Sequence, residues 1–255
     1  KRTTLGRATV TQIGWIPDNS AIAAFRENPE KFRLQYRLNL VPAVPDDKMR
    51  AGSAVHAALN VLRAYGDIER AGQVARAVRG EGDGPRNAAH VERLVCAYNA
   101  RYPHETEPFS VVANEEYVEA HVGCDNRNHA LSDGRCPGFD FCGIIDSVVR
   151  FPDGAEYIMD CKTTGAYLNE QWMTLMELGD QFVGYVALRR ALGHRCDGFY
   201  VDGIHVSDYV SKRTGQCEIN LEKDFVRAGP FRVPEWRVER WARDMQYTLS
   251  QIAHL

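Results

Sequence analysis

The sequence predicts an α/β fold, a mixed central β-sheet flanked by helices, with a helical segment at its N-terminal side. Two observations predict it. Helix starts and helical apolar spacing dominate up to about residue 105, whereas residues 110–162 turn to β-branched runs joined by a hairpin signal. After that, helix and strand alternate, the order that builds a layered α/β domain.

The elements follow in order. Asp18-Asn19-Ser20 is a helix start, with Ile22 and Phe25 on one face. Asn28-Pro29 is a second start, Asn at the cap and Pro at the first helical position. Phe32, Leu34, Tyr36 and Leu38 follow, and Pro42 and Pro45 break the segment. Gly52 opens a helix through about Tyr65, with Val55, Leu59 and Leu62 at helical spacing. Gly80 to Pro85 is a loop, and His90 to Tyr102 is helical. Strands are predicted at Ser110 to Val122, Phe141 to Phe151 and Glu156 to Lys162, the last two joined by the turn Pro152-Asp153-Gly154. A polar excursion spans His121 to Asp140. Leu175 to Leu192 is a helix ended by Gly193, and Asp197 to Val206 is a fourth strand. Pro234 to His254 is an amphipathic helix with Trp241, Met245, Leu249 and Ile252 on one side. These parts are expected to form one domain over 1–255: a helical part at about 18–105, a sheet core at about 110–206 and a C-terminal helix at about 234–254.

Charge narrows the function classes. Lys and Arg total 31 against 34 Asp and Glu, a formal net charge of −3. A protein that coats phosphates through bulk positive charge is excluded, so any nucleic-acid contact must be local, through a metal or a small basic patch. No apolar run reaches the roughly 20 residues of a membrane span. Lys1-Arg2-Thr3-Thr4 lacks the apolar stretch of a signal peptide, and the expectation is a cytoplasmic protein. Seven cysteines at irregular spacing do not form a disulfide framework.

The chemistry-bearing residues sit on the paired strands. Gly143-Ile144-Ile145-Asp146 places a carboxylate inside an apolar strand, and Met159-Asp160-Cys161-Lys162 places a second carboxylate and a lysine at the end of the next. Side chains two apart on a strand share a face, so Asp160 and Lys162 project together, and the hairpin brings Asp146 alongside. Two carboxylates on an apolar sheet are costly unless paired, and a divalent cation would pair them. An Asp–Lys salt bridge at a sheet edge, with Asp146 a turn residue, remains the structural alternative.

Gly-Ile-Ile-Asp, a hairpin, then Asp-Cys-Lys-Thr-Thr resembles the core of the RecB-like branch of the PD-(D/E)xK nucleases, which also includes CRISPR adaptation nucleases and phage exonucleases. Gly52-Ser53-Ala54-Val55-His56 matches that branch's Gly-x-x-x-His segment, and Gln181-Phe182-Val183-Gly184-Tyr185 its Gln-x-x-x-Tyr helix. The resemblance runs from about Ser20 to Tyr185. It implies a restriction-endonuclease-like core and a Mg²⁺- or Mn²⁺-dependent deoxyribonuclease, an exonuclease working from DNA ends in recombination, repair or phage replication. It implies metal ligation by His56, Asp146, Asp160 and the Cys161 carbonyl, Lys162 as the catalytic lysine, and Gln181 and Tyr185 as supports of the catalytic groups or contacts to DNA. A separate helicase or annealing protein is the partner implied.

Alternatives stay open residue by residue. His56, beside Val55 and Leu59, also reads as a core histidine, and Gln181 and Tyr185 as an ordinary helix flank. Glu115 or Glu116 matches a glutamate of many relatives, and only one of two strand neighbours faces inward. Relatives with an iron–sulfur cluster carry an early cysteine where this chain has Asn28, so no such cluster is expected. His121, Cys124, His129, Cys136 and Cys142 leave a zinc site open, without any Cys-x-x-Cys pair. Two other functions compete with the nuclease: a catalytically silent nuclease fold that binds DNA or serves in an assembly, and a phosphoesterase for another substrate.

Overall fold

The computed structural model describes residues 16–40, 46–82, 84–123 and 138–254. Helices precede the sheet: α1 (Asn19–Glu27), α2 (Pro29–Phe32) with a π-helical turn over Arg33–Arg37, α3 (Asp47–Tyr65), α4 (Ile68–Arg79) and α5 (Ala88–Arg101). Then come β1 (Ser110–Val122), β2 (Phe139–Arg150), β3 (Glu156–Thr164), α6 (Glu170–Leu178), α7 (Asp180–Ala191), β4 (Gly198–His205), β5 (Phe225–Arg232) and α8 (Glu235–Ile252). The five strands form one mixed sheet in the order β1-β2-β3-β4-β5. Only β3 and β4 run parallel, because α6 and α7 carry the chain between them.

Local chemistry sets the boundaries. Asp18 caps α1 through the Ala21 N–H, and Asn28 caps α2 through Glu30 and Lys31, with Pro29 at its first position. In the β2–β3 turn, Asp153 accepts from the Ala155 N–H and Gly154 takes φ 81°, a conformation that favours glycine.

Several boundaries differ from the sequence expectation. α3 starts at Asp47, capped by Asp46, so Gly52 lies inside the helix rather than at its head. α4 was not foreseen, because its buried positions are the small Ala71, Gly72 and Ala75. The expected helix from Leu175 to Leu192 is two helices, separated at Gly179 in an extended conformation. β5 was also not foreseen, since Gly229-Pro230 inside it reads as a loop. β1 and β2 take in both ends of the expected excursion, Val122 pairing with Phe139 and His121 with Asp140. Pro42, Pro45, Cys124, His129 and Cys136 lie outside the described residues.

Two apolar layers hold the sheet. On one face α1, α7 and α8 bury Phe141, Ile145, Val148, Ile158, Phe182, Leu188, Trp241, Met245, Leu249 and Ile252. On the other, α3, α4 and α5 bury Val55, Leu59, Leu62, Leu94, Cys161 and Phe225. Among the described residues, no helix is long and apolar enough to cross a membrane.

Candidate active site

The site is built where two strands part. β2 pairs with β3 from Arg150↔Glu156 only as far as Ser147↔Met159. Beyond that point β2 stays beside β1 up to Phe139, while β3 stays beside β4 up to Thr164. Asp146, Asp160, Cys161 and Lys162 are the residues at the opening of this fork.

Asp146 fills the fork. Its Oδ2 accepts the Cys161 backbone N–H at 3.0 Å, replacing the ladder bond that the parted strands lack. The same oxygen lies 3.0 Å from His56 Nδ1. Burial pushes the Asp146 carboxyl up, but the His56 bond and charge and the Cys161 N–H outweigh it and leave the carboxyl below its usual range. A strand residue turns its N–H and C=O to the same side, so the Cys161 carbonyl faces the fork as well. The Cys161 side chain is buried in the α3–α5 layer, and burial holds its thiol well above the usual range.

Asp160 and Lys162 share a face, as the strand period requires, with Lys162 Nζ 2.7 Å from Asp160 Oδ1. Asp160 is 1% exposed. Burial raises its carboxyl, and the neighbouring Asp146 charge adds to that against the opposing Lys162 ammonium. Burial pulls Lys162 down, but the Asp160 carboxylate outweighs it and keeps the ammonium charged. Lys162 also stands over the Phe182 ring of α7, 5.5 Å from its centre. A cavity of about 340 Å³ opens beside it, lined by Asn19, Gln181 and Phe182 among others.

Two glycines explain why the helices reach the fork. A Cβ on Gly52 would stand 2.8 Å from Thr163 Oγ1, so glycine lets α3 lie against β3 and sets His56, one turn on, over Asp146. A Cβ on Gly143 would stand 2.7 Å from Tyr185 Cε1, so glycine lets α7 press its tyrosine onto β2. Gln181 Nε2 donates to Tyr185 Oη at 3.0 Å, the one-turn pair expected on that helix face. The structure thus brings His56, Asp146, Asp160, Cys161 and Lys162 together, with Gln181 and Tyr185 on the adjoining helix.

The glutamate ambiguity resolves. Glu116 pairs opposite Ile145 and accepts from Arg189 of α7, on the far face. Glu115, at φ 48°, turns to α3 and accepts from Asn60, one helical turn past His56. His121 pairs with Asp140 at 2.9 Å, and Cys142 Sγ lies 3.6 Å from the Ile16 carbonyl.

Sequence reasoning missed the buried polar support behind the fork. Arg63, two turns past His56, donates to Asp202 at 2.9 Å and to Ser147 at 3.3 Å. Arg227 donates to Asp202 from its Nε at 2.7 Å and to both Glu107 oxygens, and Tyr98 also donates to Asp202. The available signal was Asp202 itself, a carboxylate inside the apolar run Gly198–His205.

The donor set suits a small divalent cation. It offers two carboxylates, a carbonyl and an imidazole, and Asp160 Oδ1 is a buried oxygen held against the Lys162 ammonium at 2.7 Å. Among the described residues, no group of three or more His, Cys, Asp or Glu side chains is already placed to hold a metal ion.

A comparison with curated proteins finds no match. Among solved structures, the one titled "Crystal structure of SSO0001" matches at a TM-score of 0.32 and 12% identity, over 88% of this chain and 85% of that one. The family described as the PD-(D/E)XK nuclease superfamily matches residues 19–253, a span that holds every residue of the fork. The chain therefore belongs to the PD-(D/E)XK nuclease superfamily.

Proposed function

We propose that this nuclease is a divalent-metal-dependent deoxyribonuclease of the RecB-like branch that digests DNA from its ends. One observation carries the assignment: His56, Asp146, Asp160 and Lys162, from three separate elements, meet where β2 and β3 part. Nucleases of this superfamily usually use divalent metals, and Mg²⁺ or Mn²⁺ suits the oxygen-rich donor set.

Each residue then has a role. Asp146, Asp160, the Cys161 carbonyl and His56 would hold the ion. A bound divalent cation supplies polarisation of a phosphoryl oxygen and a water of lowered pKa. Lys162, tethered by Asp160, orients the attacking water and offsets the charge that builds on the phosphate. His56 and the Cys161 N–H lock the Asp146 carboxylate in one orientation, which limits the reorganisation required during reaction. Gln181 and Tyr185 buttress β2 through Gly143 or contact the DNA backbone. Ends of DNA engaged in recombination, repair or phage replication, presented by a helicase or annealing protein, are the proposed context.

The test is degradation of end-labelled linear and closed circular DNA with Mg²⁺, with Mn²⁺ and with EDTA, beside Lys162→Ala. Metal-dependent loss of linear DNA only, absent in the variant, supports an exonuclease at this site. Cleavage of circles overturns the end-dependence. Binding without any cleavage overturns the enzyme and leaves a silent DNA-binding subunit.

A further inference from the structure

We propose that the cavity at the N-terminus of α5 binds a phosphate group, held by His90, Arg93 and the first turn of that helix. The site is separate from the fork, and its test does not depend on the nuclease reading.

The cavity, about 480 Å³, is lined by the first turn of α5, Arg76 of α4 and the bridge that pairs Val210 with Cys217. That volume lies in the range of small-molecule sites. Its wall is tied together. Arg93 donates to the Gln216 side chain and, at 3.1 Å, to the Cys217 carbonyl, and Cys217 Sγ lies 3.5 Å from the Pro85 carbonyl.

Two independent observations point to an anion. The first is the helix end. Asn87 caps α5 by accepting the His90 N–H, and the Ala88 and Ala89 N–H groups ahead of it have no partner within the helix. The second is the His90 side chain, which lines the cavity, is 2% exposed and leaves Nε2 without a hydrogen bond. Arg93 Nη2 lies 3.4 Å from His90 Nδ1 and can only donate. Nδ1 therefore accepts, and the ring proton sits on Nε2. A buried N–H without an acceptor is costly, and an oxygen of a bound anion would relieve it.

The charge has the same sign. Among the described residues, Arg93 meets only neutral partners, the Gln216 side chain, the Cys217 carbonyl and the His90 ring. Glu92 is the acidic residue of the described lining, and Arg76 is paired with it. The helix dipole adds partial positive charge at this end. Burial, then the charges of Arg93 and Arg86, hold the His90 imidazole neutral against the weaker pull of Asp224, so its donor does not depend on protonation. Donors thus come from a ring, a guanidinium and a helix end. A tetrahedral phosphate presents acceptor oxygens in several directions at once, whereas the two oxygens of a carboxylate lie in one plane.

Two sources of phosphate can reach the cavity. Arg86, next to the cap, donates to the Val206 carbonyl at 3.2 Å, and the Val206 N–H donates to the Thr164 carbonyl, two residues past Lys162. The site therefore lies towards the same end of the sheet as Lys162, open to a phosphate of a nucleic-acid strand or to a free small phosphate.

The experiment titrates the full chain with inorganic phosphate by calorimetry, in EDTA so that no ion draws phosphate to the fork, at constant ionic strength in chloride. One phosphate per chain is expected. Arg93→Gln and His90→Leu are each expected to bind roughly ten-fold more weakly or worse, while His90→Gln, which keeps a donor, retains more of the affinity. Ala89→Glu sets a carboxylate at the mouth of the cavity and suits a helix first turn, so it should keep the fold and lose the phosphate. Lys162→Ala should bind as the unaltered protein does. Absence of binding overturns the site, as does unchanged affinity in both Arg93→Gln and Ala89→Glu. Loss of binding in Lys162→Ala also overturns it, since the phosphate would then sit at the fork. Competition identifies the source. Displacement of phosphate by an oligonucleotide without terminal phosphates supports the site as a contact to a strand. Displacement by a nucleoside monophosphate alone supports it as a site for a free small phosphate.

Discussion

Asp146 Oδ2 accepts the backbone N–H of Cys161 at 3.0 Å, a side chain standing in for a strand at the point where β2 and β3 separate. One carboxylate thus has a structural bond and a place in the candidate site. The two are separable, because an amide oxygen can accept from the same N–H without carrying charge.

Asp146→Asn is therefore expected to keep the melting temperature within a few degrees and to lose cleavage. Asp146→Ala is expected to lose cleavage and about 1–3 kcal/mol of stability, since the Cys161 N–H loses its acceptor. Denaturant unfolding beside the DNA degradation assay checks both. Full activity in Asp146→Asn would remove this residue from the metal site.

Gly52→Ala forces a contact that cannot persist, its Cβ meeting Thr163 Oγ1 at 2.8 Å. The helix is expected to lift, moving His56 away from Asp146. Misplacement of this kind is expected to lower cleavage roughly 10–100-fold while the chain stays folded. Adding Thr163→Ala removes the obstructing oxygen and should restore most of the activity. Failure of the double variant to recover would mean that Gly52 acts otherwise than by close approach.

Asp202 is buried among Arg63, Arg227 and Tyr98, and the two guanidinium groups, with the Tyr98 hydrogen bond, pull its carboxyl below the usual range against the effect of burial. Asp202→Ala leaves two guanidinium groups short of a partner and is expected to destabilise by about 3–5 kcal/mol. Urea unfolding measures this, with Asp202→Asn losing less. A loss under about 1 kcal/mol would show that the network relaxes into solvent.

His90 is 2% exposed and its Nε2 makes no hydrogen bond, and burial, aided by Arg93 and Arg86, lowers its pKa to about 4. The unfolded chain binds a proton at His90 more readily than the folded one. Its neutral form thus contributes fully above about pH 6.5, and stability falls as the pH drops from there towards 4. The expected loss is up to about 3 kcal/mol. His90→Gln should flatten this part of the stability–pH curve, and an unchanged slope would assign the acid sensitivity elsewhere.

The sequence by itself determined the first four strands and the spacing of the candidate site residues on two of them. The β-branched runs, the Pro152-Asp153-Gly154 turn and the period of two placed Asp160 and Lys162 on one face, and the structure keeps them 2.7 Å apart. These are local properties, set by residues within a few positions of one another. What needed tertiary structure was everything whose signal is spread over distant segments. α4 buries small residues against α3 and α5, so its apolar period is faint. β5 carries Gly229 and Pro230 and owes its place to pairing with β4. The break between α6 and α7 lies within a continuous helical pattern. That Glu115 turns to Asn60 of α3 while Glu116 turns to Arg189 of α7 came from tertiary contacts, with Glu115 at φ 48°. His56 meets Asp146 only because α3, admitted by Gly52, crosses the sheet there. Periodicity specifies which face a side chain takes within its own element. Which elements meet, and where a sheet opens, depends on packing between residues far apart in the chain.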